Sequence, residues 1–410
     1  MNRIEKLIAE LCPEGVEWKK LGEVCEHKRG TSITKEQINE GNIPVIAGGR
    51  KPAYFHNEYN RQGETIVIAG SGAYAGYVSY WNQPIFVSDA FSIHPNEKFL
   101  LIKYVYYFLL NKQEIIHQKK KGSGVPHVYF ADIANIPIPI PPLPIQEEIV
   151  KILDTFTALE AELEAELEAR KKQYEYYRNK LLTPVEYNGR WYLNGVEVEW
   201  KKLGEVLDYE QPTKYIIQTT DYSDNYDIPV LTAGQTFILG YTNEKDGIFK
   251  ATKNDPVIIF DDFTTSFHWV DFDFKVKSSA MKLLKPRKEV KIVFKYVYYA
   301  MTCIKYSTIE HSRQWISKYS NIPIPIPPLS EQERIVAILD KFDALVNDLT
   351  SGLPAEIEAR RKQYEYYRDK LLNFNRYHCR IDSHRENCKD DYHRENCKGD
   401  YHRENCKGDS

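Results

Sequence analysis

The chain has 410 residues, of which 42% are hydrophobic, and a formal net charge of −3 at pH 7. This composition suits a soluble protein of two or three domains and excludes a fibrous or wholly disordered chain. No apolar run reaches the roughly 18 to 20 residues of a membrane-spanning helix, and the N-terminus lacks the apolar centre of a signal peptide. Because the seven cysteines form no framework of spaced pairs, we expect a cytoplasmic protein with reduced thiols.

Charge is distributed unevenly along the chain. Residues 1–144 carry 16 basic and 14 acidic side chains, and residues 183–330 carry 18 of each. Residues 145–182 have six basic against nine acidic side chains, and residues 331–375 have seven against nine. The acidic excess therefore lies in the two segments with helical patterns, and the rest is neutral to slightly basic. Clusters of lysines in these parts are usually solvated surface, so they do not by themselves indicate nucleic-acid binding.

The chain is an internal duplication with a period of about 190 residues. Between the matching blocks the two halves diverge, so a common scaffold carries two different surfaces. The recurring blocks are VEWKKLGEV (16–24 and 198–206), KYVYY (103–107 and 295–299), NIPIPIPPL (135–143 and 321–329), and EARKKQYEYYRNKLL (168–182), which returns as EARRKQYEYYRDKLL (358–372).

Each half has the pattern of a mixed α/β domain, after an N-terminal segment with amphipathic helical spacing. The runs TIVIAG (65–70) and PVIIF (256–260) are short, β-branched and bounded by turn residues, which predicts strands. The run GSGAYAG (70–76) predicts a glycine-rich hairpin turn. Residues 100–111 and 291–302 have the spacing of packed helices, and their tyrosines indicate core and rim packing rather than base stacking.

The block NIPIPIPPL predicts a stiff, extended strap, because each proline fixes its own φ angle and biases the preceding residue away from the α region. After each strap, acidic residues in the first turns indicate the start of a helix. We expect the strap to fix how each globular half, here called a head (residues 1–144 and 183–330), leaves its helix. A proline-rich linker with no orienting role is the alternative.

The two helical segments predict a coiled coil, packed antiparallel within one chain around a pseudo-twofold axis, with pairing between chains as the alternative. The first contains LEAELEAELEAR (159–170), in which each added four-residue unit would lengthen a helix by about 6 Å. Gly352 and Pro354 in the second predict a break and restart, with a surface kink as the alternative. The predicted seam positions are Ile149, Ile152, Phe156, Leu159, Leu163, Ile335, Ile338, Phe342, Leu345 and Leu349.

Specific catalytic motifs are absent from the sequence. The run GSGAYAG lacks the Lys-Ser/Thr ending of a nucleotide-binding loop, and neither a metalloprotease motif nor an amino-methyltransferase motif occurs. We therefore expect no catalytic residues, no metal and no cofactor in this chain.

The two straps, the Gln-Glu helix starts and the blocks EARRKQYEYYRDKLL and SGLPAEIEAR resemble the specificity subunit of type I restriction-modification enzymes, over about residues 1–375. The resemblance implies a mixed α+β fold in which two α/β target recognition domains are joined by two long antiparallel coiled-coil helices. The expected boundaries are 1–144 and 183–330 for the domains, and 145–182 and 331–375 for the helices. The tail at 376–410, with three HRENCK repeats, departs from the family, and we expect it to be disordered.

The same resemblance implies a non-catalytic subunit that reads an interrupted site on double-stranded DNA. Its implied partners are two modification subunits that methylate adenine and restriction subunits that translocate and cleave DNA with ATP; no membrane is involved. The four-residue helical repeat matches a family device that sets the spacing between the two half-sites. An adaptor whose heads bind proteins is the alternative. A third hypothesis is a self-sufficient nuclease or methyltransferase, but the absence of catalytic motifs argues against it.

Two unlike heads on a rigid spacer can read unlike half-sites about one turn of duplex, roughly 34 to 36 Å, apart. Lysines would contact phosphates, and side chains such as Arg and Gln can make bidentate contacts with guanine and adenine edges. For each candidate a structural role is the alternative. The candidates in the first head are Ser71, Tyr74, Tyr77, Lys119, Lys120, Lys121, Ser123, His127 and Tyr129, and those in the second are Thr264, Thr265, His268, His311, Arg313, Gln314 and Trp315.

Overall fold

The structure, a computed structural model, describes residues 2–122, 124–234, 236–306, 312–348 and 350–374. The described residues cluster into two compact units. The first unit contains the residues up to Asp154 together with those from Glu365 on, and the second contains Thr155–Tyr364. Each unit therefore holds one head with parts of the long helices. The predicted disordered tail lies outside the described residues.

The first unit contains a four-stranded antiparallel sheet in the order β2-β8-β5-β6, a three-stranded sheet β4-β3-β7 and a two-stranded sheet β1-β9. The strands are β1 (Glu17–Lys20), β2 (Cys25–Arg29), β3 (Ile43–Ile46), β4 (Tyr54–His56), β5 (Glu64–Ala69), β6 (Val78–Asn82), β7 (Phe86–Val87), β8 (Ala90–Pro95) and β9 (Pro137–Ile140). The helices are α1 (Asn2–Leu11), α2 (Leu21–Val24), α3 (Ile102–Asn111), α4 (Gln113–Gln118), α5 (Phe130–Ile133) and the start of α6 (Leu143–Leu182).

The second unit repeats these strand orders as β14-β20-β17-β18, β16-β15-β19 and β13-β21, and adds a meander β10-β11-β12. Its strands are β10 (Val185–Tyr187), β11 (Arg190–Leu193), β12 (Val196–Glu197), β13 (Glu199–Lys202), β14 (Leu207–Glu210), β15 (Ile228–Leu231), β16 (Ile238–Thr242), β17 (Val257–Asp261), β18 (Phe267–Val270), β19 (Lys275–Val276), β20 (Met281–Pro286) and β21 (Pro323–Ile326). Its further helices are α7 (Leu203–Val206), α8 (Phe294–Thr302), α9 (Leu329–Asn347) and α10 (Leu353–Leu372).

These elements confirm the predicted duplication and the mixed α/β class. The predicted strands are β5 and β17, the glycine-rich turn joins the hairpin β5–β6, and the predicted packed helices are α3 and α8. Tyr104 and Tyr107 of α3 are buried, as are Tyr296 and Tyr299 of α8, which confirms their structural role.

The strap is a β-strand whose partner is another repeated block. Strand β9 pairs antiparallel with β1, with Trp18 opposite Pro139, and β21 pairs in the same register with β13, with Trp200 opposite Pro325. Proline lacks an N–H donor and is confined to edge strands, and a two-stranded sheet consists of edges only. The blocks VEWKK and IPIPI recur together because they form one hydrogen-bonded ladder.

Tyrosines of α3 tie the strap and the following helix to the first head. The Tyr104 hydroxyl donates to the Pro139 carbonyl of the strap at 3.1 Å. The Tyr107 hydroxyl donates to the Asp154 carboxylate of α6 at 2.6 Å. The block KYVYY therefore connects the head to both segments that leave it.

Gln146, in the first turns of α6, completes this connection. Its side chain is 0% exposed. Its Oε1 accepts the Leu101 N–H at 2.9 Å, and its Nε2 lies 2.7 Å from both the Phe99 and the Pro141 carbonyls. One amide thus satisfies three backbone groups where head, strap and helix meet. We call β1, β9, Tyr104, Tyr107 and Gln146, with their partners, the head–helix joint.

The second unit has the same joint. This shared joint explains why the blocks VEWKK, KYVYY and IPIPI recur in halves whose other residues diverge, because they build the attachment of a head to its helix. The equivalent bonds run from Tyr296 to the Pro325 carbonyl (2.6 Å), from Tyr299 to Asp340 (2.5 Å), from the Val293 N–H to Gln332 (2.9 Å) and from Gln332 to the Pro327 carbonyl (2.8 Å).

Within the second unit the long helices pack antiparallel, as predicted. Leu163 of α6 lies in one apolar cluster with Ile357 of α10. Further along α6, the Tyr177 ring stacks on Phe342 of α9, with ring centroids 5.5 Å apart. Later residues of α6 therefore meet earlier residues of the partner helix. The repeat LEAE contributes carboxylates to this pairing, because Arg361 binds Glu160 at 2.6 Å and also Glu164.

The second helical segment is broken where the sequence predicts it. Helix α9 ends at Asn347 and α10 begins at Leu353. A Cβ atom at Gly352 would lie 2.5 Å from the Ala344 carbonyl oxygen, so the turn between the helices accepts only glycine at this position.

The predicted seam is only partly correct. Leu345 is 38% exposed, whereas its neighbour Val346 is buried, and Leu349 lies outside the described residues. Leu153 and Leu339 are fully buried although the pattern did not select them. In α9, Ile335 and Leu339 lie in one apolar cluster with Val297 and Tyr299 of the head as well as with Leu181 at the end of α6, so the buried face serves the head and the partner helix together. The remaining positions are buried or half-buried as predicted: Ile149, Ile152, Phe156, Leu159, Leu163, Ile335, Ile338 and Phe342.

Candidate nucleic-acid interface

Three loops of the first head lie together: residues 47–53 between β3 and β4, 70–77 between β5 and β6, and 119–129 before α5, with position 123 not described. The Gly72 N–H donates to the Pro126 carbonyl at 2.9 Å, which joins the second loop to the third. We call these residues the first loop cluster.

Glycines let the first two of these loops approach closely. A Cβ atom at Gly48 would lie 2.4 Å from the Ser71 carbonyl oxygen. Gly72 and Gly76 have φ angles of 80° and 83°, in the left-handed region that glycine occupies at least cost. The backbone of the cluster is therefore held in one arrangement by residues without side chains.

The candidates in the hairpin turn differ in exposure. Ser71 is buried, and its hydroxyl donates to the Asp89 carboxylate. Tyr74 is 43% exposed, and Tyr77 is half-buried. The guanidinium carbon of Arg50 lies 4.9 Å from the Tyr74 ring centroid and 5.6 Å from that of Tyr77. The tyrosines therefore present an aromatic surface with a cation on it.

The three predicted lysines surround the same loops. Lys119 is exposed, and Lys120 Nζ donates to the Ala73 carbonyl at 3.0 Å. Lys121 forms an ion pair with Asp132. Burial alone would raise the pKa of the Asp132 carboxyl. The hydrogen bonds that this carboxylate accepts, of which the one from Lys121 has the largest effect, hold its pKa below the usual value. The ion pair keeps the lysine at the edge of the cluster.

Aromatic rings line the end of the third loop. His127 and Tyr129 are parallel, with ring centroids 5.9 Å apart, and Tyr129 is 53% exposed. Beside them is a cavity of about 530 Å³, against which His27 stacks on Phe130 at 4.3 Å. This part of the surface offers flat faces of the kind that contact bases or sugars.

In the second head, residues 261–266 between β17 and β18 meet residues 312–318 before the strap, and residues 232–237 lie beside them, with position 235 not described. The Gln314 N–H donates to the Asp262 carbonyl at 2.7 Å. We call these residues the second loop cluster.

The two clusters occupy corresponding places in the duplication. The same backbone bond joins the turn to the later segment in both heads, from Val128 to Gly70 at 3.0 Å and from Gln314 to Asp262 at 2.7 Å. His127 and Arg313, which directly precede the two donors, are therefore equivalent positions with different side chains.

Three candidates of the second head surround a constrained turn. The Asp261 carboxylate accepts the Thr264 N–H at 2.8 Å. Thr265 has a φ angle of 62°, in the left-handed region that a β-branched residue rarely adopts. His268 Nε2 lies 3.0 Å from the Gly234 carbonyl oxygen. This contact connects the strand that follows the turn to the loop at residues 232–237. Strained backbone of this kind concentrates at ligand sites.

The remaining candidates of the second head require a correction. Arg313 is exposed, but Gln314 and Trp315 are buried at 1% and 2% exposure, and the Trp315 ring packs on Phe260. Their residue types and their place before the second strap predict contact with DNA, but the segment folds inwards at Gln314 and Trp315, so these two side chains pack in the core. Ser123 and His311 lie outside the described residues.

A buried ion pair holds this inward segment. The Asp262 carboxylate lies 3.3 Å from Lys282 Nζ, and both side chains are buried. The other carboxylate oxygen accepts the Trp315 N–H at 2.8 Å. By strand register, the first head has Gly70 and Phe91 at these positions. The ion pair is therefore specific to the second head and positions the residues that follow Arg313.

The longer repeats and residue clusters do not single out Arg50 or the loop that carries it. The signal was a shorter repeat, PVIAGG at 44–49 and PVLTAG at 229–234, which marks the same strand and loop in both heads. Because it contains only six residues with three substitutions, it was less visible than the longer blocks.

Within the described ranges, no helix is long and apolar enough to cross a membrane. In the same part of the chain, histidine, cysteine and carboxylate side chains form no group of three or more that could hold a metal ion.

The fold and the loop clusters define a class of protein: a duplicated chain whose matching scaffolds carry two unlike loop clusters at corresponding places. The family model of the type I restriction modification DNA specificity domain matches residues 13–169 and again residues 195–359. The chain belongs to this family and is a type I restriction-modification specificity subunit.

A protein of Haemophilus influenzae, described as a type I restriction enzyme specificity subunit, is 32% identical over 400 residues, which covers 88% of this chain and 96% of that protein. The EcoR124I/EcoR124II specificity subunit of Escherichia coli is 56% identical over 191 residues, 44% of this chain and 46% of that relative. That match thus spans less than half of the Escherichia coli protein. The crystal structure of a type I restriction-modification S subunit from M. genitalium has the same fold, with a TM-score of 0.62, 16% identity, and coverage of 87% and 96% of the two chains.

Proposed function

We propose that this chain reads a bipartite, gapped site on double-stranded DNA and directs adenine methylation and restriction by partner subunits. The observation that carries the proposal is the pair of unlike loop clusters at corresponding places on one duplicated scaffold. A duplicated scaffold with identical surfaces would read the same half-site twice, whereas His127 and Arg313 at one equivalent position offer different chemistry to DNA. Family membership supports the same assignment.

In this proposal the chain is non-catalytic and contains no cofactor of its own. Two modification subunits supply adenine methylation, and restriction subunits supply ATP-dependent translocation and cleavage. The proposed localisation is cytoplasmic, where the DNA is. Phosphate contacts from Lys119 and Lys120 would position the first head, and the exposed side chains of each cluster would read base edges.

The proposal is tested by selecting bound duplexes from a randomised DNA library with the full-length chain, co-purified with the modification subunit encoded beside it. We expect one motif with two specified blocks separated by an unspecified gap of fixed length, and an affinity that falls with salt. Recovery of no motif at any salt concentration, with a stable protein complex still formed, would favour an adaptor whose heads bind proteins.

Arg313→Ala is expected to relax recognition in one half-site only. Arg313 is exposed and lies in the second loop cluster, and an arginine contact with a guanine edge contributes roughly 1 to 3 kcal/mol of discrimination. The selection experiment measures this directly as loss of preference at one position. An equal loss of affinity for unrelated sequences would mark Arg313 as a phosphate contact instead.

Inserting one LEAE unit after Glu166 is expected to lengthen the gap by one or two base pairs, because four helical residues add about 6 Å and a base pair rises about 3.4 Å. The motif of the insertion variant is compared with that of the parent chain, and both specified blocks are expected to stay the same. An unchanged gap would show that this helix does not set the spacing.

A further inference from the structure

Arg50 projects from the loop between β3 and β4 onto the rings of Tyr74 and Tyr77. Its side chain is exposed. Among the described residues, Arg50 forms no ion pair and no side-chain hydrogen bond. Its side-chain interactions there are the cation–π contacts with the two rings. An exposed arginine is commonly bonded only to water, so the feature that distinguishes Arg50 is its place on the two rings.

Contact with the rings leaves the N–H donors of the guanidinium available to a ligand. The rings attract the positive charge without accepting a conventional hydrogen bond from it, and the guanidinium carries five N–H donors in its plane. Those donors match the O6 and N7 acceptors of guanine in the major groove. The rings also reduce the conformations open to a long side chain, so less entropy is lost when a base is bound.

The backbone around Arg50 is fixed as well. The loop that carries Arg50 lies directly against the hairpin turn. There is no room for a Cβ atom at Gly48 beside the Ser71 carbonyl, which shows how closely the two backbones approach. Both partners of the guanidinium come from that turn. The loop, the turn and the side chain therefore form one preorganised unit rather than an arginine on a free loop.

We propose that Arg50 reads a guanine in the half-site bound by the first head, with Tyr74 and Tyr77 orienting its guanidinium. This inference rests on the proposed function, which it sharpens by naming a residue and a base. In this proposal, residues of the first loop cluster have different roles: Arg50 specifies sequence, whereas the lysines at 119–121 contact phosphates.

The test is the library selection repeated with Arg50→Lys, which keeps the charge but removes the planar, two-donor geometry. We expect the preference for G·C over other base pairs to fall about 5- to 150-fold at one position of one half-site. The preferences at the other positions and the salt dependence of binding are expected to stay unchanged. Arg50→Ala is expected to relax the same position. Tyr74→Leu, which removes a ring without touching the charge, is expected to relax it too. Arg190→Lys, the same change on the meander outside both clusters, serves as the control.

The outcomes separate this inference from the proposed function. If the parent chain selects a gapped motif and Arg50→Ala leaves every position intact, the inference is overturned. It is also overturned if Arg50→Ala weakens binding equally for all sequences and lowers the salt dependence by about one phosphate contact. If the parent chain selects no motif, the proposed function fails first.

Discussion

Gln146→Leu is expected to destabilise the first unit by about 2 to 5 kcal/mol. The substitution keeps the approximate shape of the side chain but leaves the Leu101 N–H and the carbonyls of Phe99 and Pro141 without their partner. Each buried polar group that loses its hydrogen bond costs roughly 1 to 3 kcal/mol. Gln146 is fully buried, so water cannot replace it without opening the head–helix joint.

The measurement is denaturant unfolding of the full chain combined with hydrogen exchange over residues 99–112 and the strap. Faster exchange in those segments, with little change in the second unit, would locate the effect at the joint. Gln83→Leu, on an exposed position of the same head, is the control and should change stability by less than about 0.5 kcal/mol. If both variants are equally stable, the joint does not hold the head to its helix as described.

Asp262→Ala is expected to cost about 3 to 5 kcal/mol in the second unit, because it leaves Lys282 buried without its counter-charge. It also removes the acceptor of the Trp315 N–H, so the segment after Arg313 loses an anchor. We therefore expect the variant to lose stability and discrimination in one half-site together.

The double variant Asp262→Asn/Lys282→Met separates these contributions. It removes both charges, keeps an oxygen that can accept the Trp315 N–H, and retains similar volumes, so it should recover most of the lost stability. Thermal or denaturant unfolding of parent, single and double variants measures this. A double variant as unstable as Asp262→Ala would contradict the assignment of the cost to an unpaired buried charge.

Much of the fold was predictable because its determinants are local. Short β-branched runs bounded by turn residues became β5 and β17, and Gly352 and Pro354 marked the break between α9 and α10. The repeats gave the duplication directly. These signals depend on a few neighbouring residues, so they can be read without knowing what each segment packs against.

What could not be predicted depends on contacts between distant segments. Nothing in the strap indicates that it pairs with β1, and nothing near Gln146 indicates that its amide serves three backbone groups. The seam prediction failed at Leu345, which is 38% exposed, whereas its neighbour Val346 is buried.

The candidate site shows the same limit. Residue type and divergence between the halves selected loops that the fold brings together, but not which side chains face outwards: Arg313 is exposed, whereas its neighbours Gln314 and Trp315 are in the core. Their direction is set by Asp262, about 50 residues earlier in the chain. Arg50 was missed for a similar reason, because its importance follows from rings that lie 24 and 27 residues later.

The most direct test of the central claim is the adenine methylome of the source cell with and without this gene. The account predicts that deletion removes one interrupted motif with a fixed gap, and that Arg313→Ala, expressed in the deleted strain, restores methylation at a motif relaxed in one half only. If the set of methylated motifs is the same with and without the gene, in cells where the modification subunit is expressed and active, the chain does not direct adenine methylation.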